Sequence, residues 1–322
     1  LKKVVIITTG GTIAMKRSPM VGGAVPMLKG EDFLSQLPRT GVELVFEEFS
    51  NLPSSHLTPA HALELGRRVE SQLANDDVYG AVVTHGTDTL EETAFLLDLT
   101  LQSHKPVVLT GAMRTATALG YDGMSNLAAA IMLAASDEAR GQGVLVVFNE
   151  TVFAAPDVQK VHGQAVDAFA APGSGPLGRI EGGRVWLRHR AGPRLTIPCG
   201  RIQEVVDLIT IGQGADDRML RHAIADGVSG VVLEVFGGGR VPPWWLPTIS
   251  EAISKRVAVV AASRCRAGGL HDEYGYVGAY HDLQRIGVLF AHNLNGPKAR
   301  IKLMVALGAA RKPADLRAWF AV

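Results

Sequence analysis

Short apolar runs recur along the first half of the chain, and each ends in a polar or glycine-rich turn. Residues 4–7 (VVII) lead into Thr8-Thr9-Gly10-Gly11-Thr12, and residues 79–84 (YGAVVT) into His85-Gly86-Thr87-Asp88-Thr89. Residues 107–110 lead into Gly111-Ala112-Met113-Arg114, and residues 144–148 into Asn149-Glu150-Thr151. Runs this short and this rich in β-branched residues read as buried strands. Residues 42–46 give a further strand, followed by a polar loop over 50–56. Helical spacing fills the gaps. Thr58-Pro59 reads as an N-cap with proline at the first helical position, opening a helix to about Leu73. Leu90, Thr93, Ala94, Leu97 and Leu101 share one helix face, another helix runs through Asn126 to Ala135, and a short one over 31–37 is closed by Pro38. This alternation predicts an α/β fold: a doubly wound, mainly parallel sheet with helices on both faces. Residues 15–29 mix glycine, proline and charge without a period, and read as a mobile loop of the kind that often serves as a lid.

The pattern lapses over 188–201 (RHRAGPRLTIPCGR) and then resumes on a smaller scale. Strands are expected over 205–211, 230–236, 257–261 and 287–291, with a helix over 217–225 and an amphipathic helix from Gly296-Pro297 to about Leu307. The expected organisation is an N-terminal domain over 1–189, a linker over 190–204 and a smaller C-terminal α/β domain over 205–322.

Composition narrows the function classes. Of 322 residues 47% are hydrophobic and 20% charged, the balance of an ordinary globular protein. A formal net charge of +1 is too even for a nucleic-acid partner. The run Arg188-His189-Arg190 reads as a solvated face. With only 2 cysteines, Cys199 and Cys265, a disulfide framework is not expected, and both read as buried, inert thiols. Trp244-Trp245 reads as core filling. No apolar run is long enough to span a membrane. TTGGTIA at residues 8–14 is not G-x-G-x-x-G, and no G-K-[ST] or H-E-x-x-H motif or tight Cys/His/Asp cluster points to a nucleotide or metal.

In a doubly wound sheet the carboxyl ends of neighbouring strands converge on one crevice. Thr12 follows the first strand; Thr87 and Asp88 follow the strand at 79–84. Hydroxyls, a carboxylate and helix N–H groups would then face one point. The plainer reading is local: Asp88 with Glu91 three residues on has the spacing of a helix N-cap and its supporting glutamate. A threonine hydroxyl is a poor nucleophile until a base takes its proton. His85 abuts the cluster but reads as a packed histidine. A partly desolvated lysine beside a carboxylate can shuttle a proton; Lys160 is one candidate, although spacing does not single it out.

Taken together, TTGGTIA at residues 8–14, AVVTHGTDTLEET at 81–93, GAMR at 111–114, DVQK at 157–160 and NGPKAR at 295–300 resemble the bacterial-type L-asparaginase family, in order and along nearly the whole chain. The resemblance implies hydrolysis of a side-chain amide without metal or organic cofactor. Thr12 matches the family's nucleophilic threonine. Thr87, Asp88 and Lys160 match its second threonine with the carboxylate and lysine that relay protons. Ser54 matches the serine that binds the substrate α-carboxylate, with Ser55 beside it, and Ala112 matches the position whose carbonyl accepts from the amide NH₂. Three departures stand out. The lid lacks the family's tyrosine, whose place falls near Gly23. Ser55-His56 stands where many members have Gln-Asp. In the C-terminal domain, the positions that reach a neighbouring subunit's substrate fall on Arg240 and near Tyr280, with Asp282 close by. A homodimer or homotetramer with shared sites is implied, acting on asparagine. Glutamine or an asparagine derivative is the alternative substrate, and a non-catalytic amino-acid-binding homologue the alternative class. No membrane or nucleic-acid partner is expected. With no leader in view, a cytoplasmic location is expected, although exported relatives share these motifs.

Overall fold

A run of four apolar side chains has no polar face, so a strand built from it must lie inside a sheet covered on both sides. In the computed structural model, which describes residues 1–18, 23–26, 41–271 and 273–321, Val4, Val5, Ile6 and Ile7 are at most 1% exposed. They form β1 (Lys3–Thr8), paired in parallel with β4 (Glu43–Glu48) on one side and β5 (Val78–Thr84) on the other. Beyond β5 come β6 (Val107–Thr110) and β7 (Val144–Phe148), again parallel. Alternate residues face opposite sides. Val4, Ile6, Val82, Val108, Leu145 and Val147 pack in one cluster with Leu127, Ala130, Ile131 and Ala134 of a helix, α3 (Gly123–Ala134). Helices α1 (Pro59–Leu73) and α2 (Leu90–Thr100) pack on strands of the same sheet. Thr58 caps α1 as the sequence suggests, with His61 returning the bond to the Thr58 N–H.

The chain divides into two units, Leu1–Thr196 and Ile197–Val322. Along the parallel part of the first unit's sheet the order is β4-β1-β5-β6-β7. The chain leaves β1 to one side and returns to the other, so the connections diverge between the carboxyl ends of β1 and β5. In open α/β sheets that switch point is where ligands sit. The α/β class and the mainly parallel sheet are as expected.

The differences lie at the edges. Residues 15–18 and 23–26 are not an irregular loop but β2 (Met15–Ser18) and β3 (Gly23–Pro26), an antiparallel pair. The expected helix at 31–37 lies outside the described residues. After β7 the sheet continues with antiparallel strands the sequence pattern did not reveal: β8 (Thr151–Ala154), β11 (Gly178–Glu181) and β12 (Arg184–Leu187). Between them β9 (Gln159–Lys160) pairs with β10 (Phe169–Ala170). At two to four residues each, these are too short for alternation to register.

In the second unit β13 (Val206–Thr210), β14 (Gly230–Val235), β15 (Ala258–Ser263) and β16 (Leu289–Phe290) form a parallel sheet in chain order. Helix α4 (Arg218–Ala225) was expected, whereas α5 (Leu246–Ser254), α6 (Tyr280–Ile286) and α8 (Pro313–Phe320) were not. Helix α7 (Gly296–Ala309) is not amphipathic in the expected sense. Lys298, Ala299, Ile301, Leu303, Met304, Val305 and Ala306 are all buried, because α7 lies against β13, β14 and β15 and also meets α8. Cys265 is exposed rather than buried, and Cys199 is intermediate. Of the tryptophan pair only Trp245 fills the core; Trp244 is 54% exposed, and both indoles donate to the Ala215 carbonyl. Among the described residues no helix is long and apolar enough to cross a membrane.

Candidate active site

The turn after β1 is built by its neighbours as much as by its own sequence. Thr9 is fully buried, and its Oγ1 and N–H both donate to the Thr84 carbonyl at the end of β5, at 2.9 and 3.1 Å. Gly10 and Gly11 follow with φ of +101° and +82°, a region L side chains rarely adopt. Space forbids a side chain as well. A Cβ on Gly10 would lie 2.7 Å from the Leu52 amide nitrogen, and one on Gly11 would lie 2.5 Å from that of Gly86. The backbone before Thr12 therefore rests directly on the backbone before Thr87. Thr12 itself begins a single 3-10 turn and is half-buried.

Two more strands of chain close on the same spot. A Cβ on Gly86 would meet Ser54 Oγ at 2.6 Å, and Thr89 Oγ1 donates to the Ser54 carbonyl at 3.0 Å. Ser54 is 3% exposed, whereas Ser55 is exposed. A Cβ on Gly111 would meet the His85 carbonyl at 2.3 Å, which brings the fully buried Ala112 to the β5 turn. The Ala112 loop is held by Asp122, whose carboxylate accepts from the backbone N–H groups of Met113 and Arg114. Asn126 adds a bond to the Gly111 carbonyl at 3.1 Å. Tyr121, beside Asp122, donates its hydroxyl to the Ile13 carbonyl at 2.7 Å. Burial, and then the neighbouring Asp122 charge, push the phenol well above its usual range, so it stays a donor. One segment thus fastens both the Thr12 turn and the Ala112 loop. No motif in the sequence marks Tyr121 for this; the i, i+4 spacing of Asp122, the N-cap of α3, and Asn126 was the available signal.

The relay group is brought in from β9. Lys160 Nζ donates to Thr87 Oγ1 at 2.8 Å and to Asp88 Oδ1 at 2.7 Å. Its side chain is 16% exposed, that of Asp88 68%. Asp88 is therefore not the helix cap its spacing suggests: α2 starts at Leu90, its N-cap is Thr89, and no side chain caps it. Glu91, expected to support that cap, instead accepts from the Lys160 backbone N–H.

His85 is fully buried between the Gly86 carbonyl, 2.8 Å from Nδ1, and Thr93 Oγ1, 3.0 Å from Nε2. A carbonyl only accepts, so Nδ1 carries the proton and Nε2 takes the Thr93 hydroxyl. Desolvation pulls its pKa down to about 4. The histidine is neutral packing, with a consequence for acid stability. Its folded pKa lies below its unfolded value of 6.5, so the unfolded chain binds the extra proton first. Stability is full above pH 6.5 and is lost as pH falls toward 4, by up to about 3 kcal/mol from this residue. Urea unfolding of His85→Gln between pH 7 and pH 4 should show a shallower loss than the wild type.

Arg240 and Tyr280 belong to the second unit, where they are neighbours. Arg240 closes a tight turn on Phe236, with reciprocal backbone bonds of 3.1 and 2.9 Å. A Cβ on Gly239 would meet the Tyr280 ring at 3.0 Å, and that ring stacks on Phe290 at 4.3 Å. The Arg240 guanidinium lies 5.1 Å from the Tyr274 ring centre. Asp282 accepts from the Gly278 N–H and pairs with Arg285.

Comparison with known proteins gives the same family at both ends of the chain. Residues 3–192 match the model of the asparaginase N-terminal domain, and residues 205–320 that of the glutaminase/asparaginase C-terminal domain. An L-asparaginase of Bacillus licheniformis is 37% identical over 97% of this chain and 97% of its own length. A probable L-asparaginase of Deinococcus radiodurans is 39% identical over 99% and 97%. The crystal structure of a probable cytoplasmic L-asparaginase from Campylobacter jejuni superposes with a TM-score of 0.88 at 30% identity, covering 99% of each chain.

Proposed function

The chain belongs to the asparaginase family, and from that premise we propose that it hydrolyses the side-chain amide of L-asparagine to L-aspartate and ammonia through a threonine nucleophile. The observation that carries the reading is the Lys160 ammonium bridging Thr87 Oγ1 and Asp88 Oδ1 at the switch point of the sheet.

Thr12 Oγ1 attacks the amide carbon and gives up its proton, the C–N bond breaks, and the nitrogen leaves as ammonia after taking a proton. The acyl group is then an ester on Thr12. Water attacks that ester, and aspartate departs with Thr12 regaining its proton. Thr87 is the group through which protons pass. With Lys160 donating to its oxygen, Thr87 passes its hydroxyl proton to the leaving nitrogen, Lys160 replaces it, and the proton that Thr12 gives up restores the Lys160 ammonium. In the second half Lys160 returns a proton to the departing Thr12 oxygen, and the proton of the attacking water, passed through Thr87, replaces it on Lys160. Asp88 holds the lysine head in line and offers its exposed oxygen to the substrate ammonium. Ser54 takes the α-carboxylate and the Ala112 carbonyl the amide NH₂. Backbone N–H groups at the two turns steady the oxyanion, at about 3 kcal/mol per donor.

The family resemblance supports a homodimer or homotetramer in which Arg240 and Tyr280 of one subunit serve a neighbour's substrate. Arg240→Ala should raise KM for asparagine about 10-fold, the scale of one charge-assisted hydrogen bond. An unchanged KM would make Arg240 a surface residue. A cytoplasmic location rests on likeness to the Campylobacter jejuni protein.

Ammonia release from asparagine and glutamine, assayed side by side on the purified protein, tests the reading. Faster turnover of asparagine is expected. The C-terminal family description covers glutaminases too, and Ser55-His56 departs from the usual Gln-Asp; faster turnover of glutamine would reassign the substrate. No release from either would leave only an amino-acid-binding role.

A further inference from the structure

Strand β9 is two residues long and, among the described residues, pairs only with β10, yet it has to hold the side chain on which the relay depends. Its next residue, Val161, donates its N–H to the Ala168 carbonyl at 2.8 Å. In an antiparallel pair successive N–H groups point to opposite sides. The Lys160 N–H therefore points away from β10, and β10 cannot hold it. Glu91 takes it: its carboxylate, 8% exposed, accepts from that N–H across 69 residues of sequence.

We infer that Glu91 is a positioning residue for Lys160, acting by fixing its backbone rather than by touching substrate. The geometry is a clamp with both jaws on one short segment. Thr87 and Asp88 hold the lysine head, and Glu91, in the first turn of α2, holds the backbone of the same residue. Thr89, between them, ties the segment to the Ser54 carbonyl. The N-terminal turn of α2 also favours a negative side chain, so the carboxylate is held where the clamp needs it. Without the backbone jaw, β9 shifts and the Nζ–Thr87 distance is set only by the flexible lysine chain. Displacements of about 1 Å in such groups cost on the order of 100-fold in rate.

This inference rests on the proposed amidohydrolase reading, and the test separates the two. Glu91→Met keeps the length and removes the acceptor; Glu91→Gln keeps an acceptor oxygen and removes the charge. Glu91→Met should lower kcat for asparagine by about 30- to 100-fold with KM changed less than about 3-fold. Glu91→Gln should lose no more than about 5-fold, because the hydrogen bond survives. Hydrogen exchange at the Lys160 amide, followed by mass spectrometry, should be slow in wild type and Glu91→Gln and fast in Glu91→Met. Undiminished kcat in Glu91→Met, an equal loss in both variants, or unaltered exchange at Lys160 would overturn the inference. A wild-type protein that releases no ammonia would instead sink the amidohydrolase reading, and the exchange measurement would still judge the clamp.

Discussion

Thr12→Ala is expected to lower kcat for asparagine by about 10⁴-fold or more while the protein folds as before. The size follows from chemistry. Without the hydroxyl there is no atom to form the ester, and what turnover remains comes from binding and oxyanion stabilisation alone. Survival of the fold follows from where the constraint lies. The turn is fixed by Thr9, buried on the Thr84 carbonyl, by the backbone contact of Gly11 with Gly86, and by Tyr121 on the Ile13 carbonyl. None of these uses the half-buried Thr12 side chain. The melting temperature should stay within about 3 °C of wild type, and kcat measured by ammonia release checks the rest. Near-normal turnover in Thr12→Ala would remove the nucleophile assigned here.

The second large effect is expected at Lys160. Lys160→Met keeps the bulk of the side chain, leaves Thr87 Oγ1 without its donor, and should lower kcat by about 10³-fold, the range of a lost acid–base group. The cost in stability should be small, because Asp88 is largely exposed and exposed ion pairs contribute about 1 kcal/mol or less. Lys160→Arg distinguishes a relay from a fixed positive charge. Arginine keeps the charge but does not surrender its proton at working pH, so it should be nearly as slow as methionine. If Lys160→Arg turns over like wild type, the lysine is an electrostatic prop and the proton route lies elsewhere.

What could be read from the chain, and what could not, divides along physical lines. The central strands were legible because both their faces are buried: runs such as residues 4–7 and 144–148 leave no alternative to a covered sheet, and the crevice at their carboxyl ends follows from topology. Strands β8, β11 and β12 were not legible, since four residues carry too little alternation. The β2–β3 pair was hidden by glycine and proline in what reads as loop composition. The Asp88-to-Glu91 spacing misled for a specific reason. It has the signature of a cap, but the tertiary structure supplies Lys160 as a better partner to both residues, at Asp88 through its head and at Glu91 through its backbone. Lys160 itself lies 72 residues from Asp88 on a strand of two residues, so periodicity had nothing to say about it. Only the family resemblance pointed there. Tyr121, which ties the Thr12 turn to the Ala112 loop, carries no motif of its own; only the spacing of Asp122 and Asn126 beside it pointed to that segment.

The central claim is that an aspartyl ester forms on Thr12, with Thr87 carrying protons rather than the acyl group. Wild-type enzyme turning over L-asparagine can be quenched in acid, digested and mapped by mass spectrometry. The account predicts the ester on the peptide that carries Thr12 and an unmodified peptide around Thr87. An ester on Thr87 with Thr12 unmodified would contradict it.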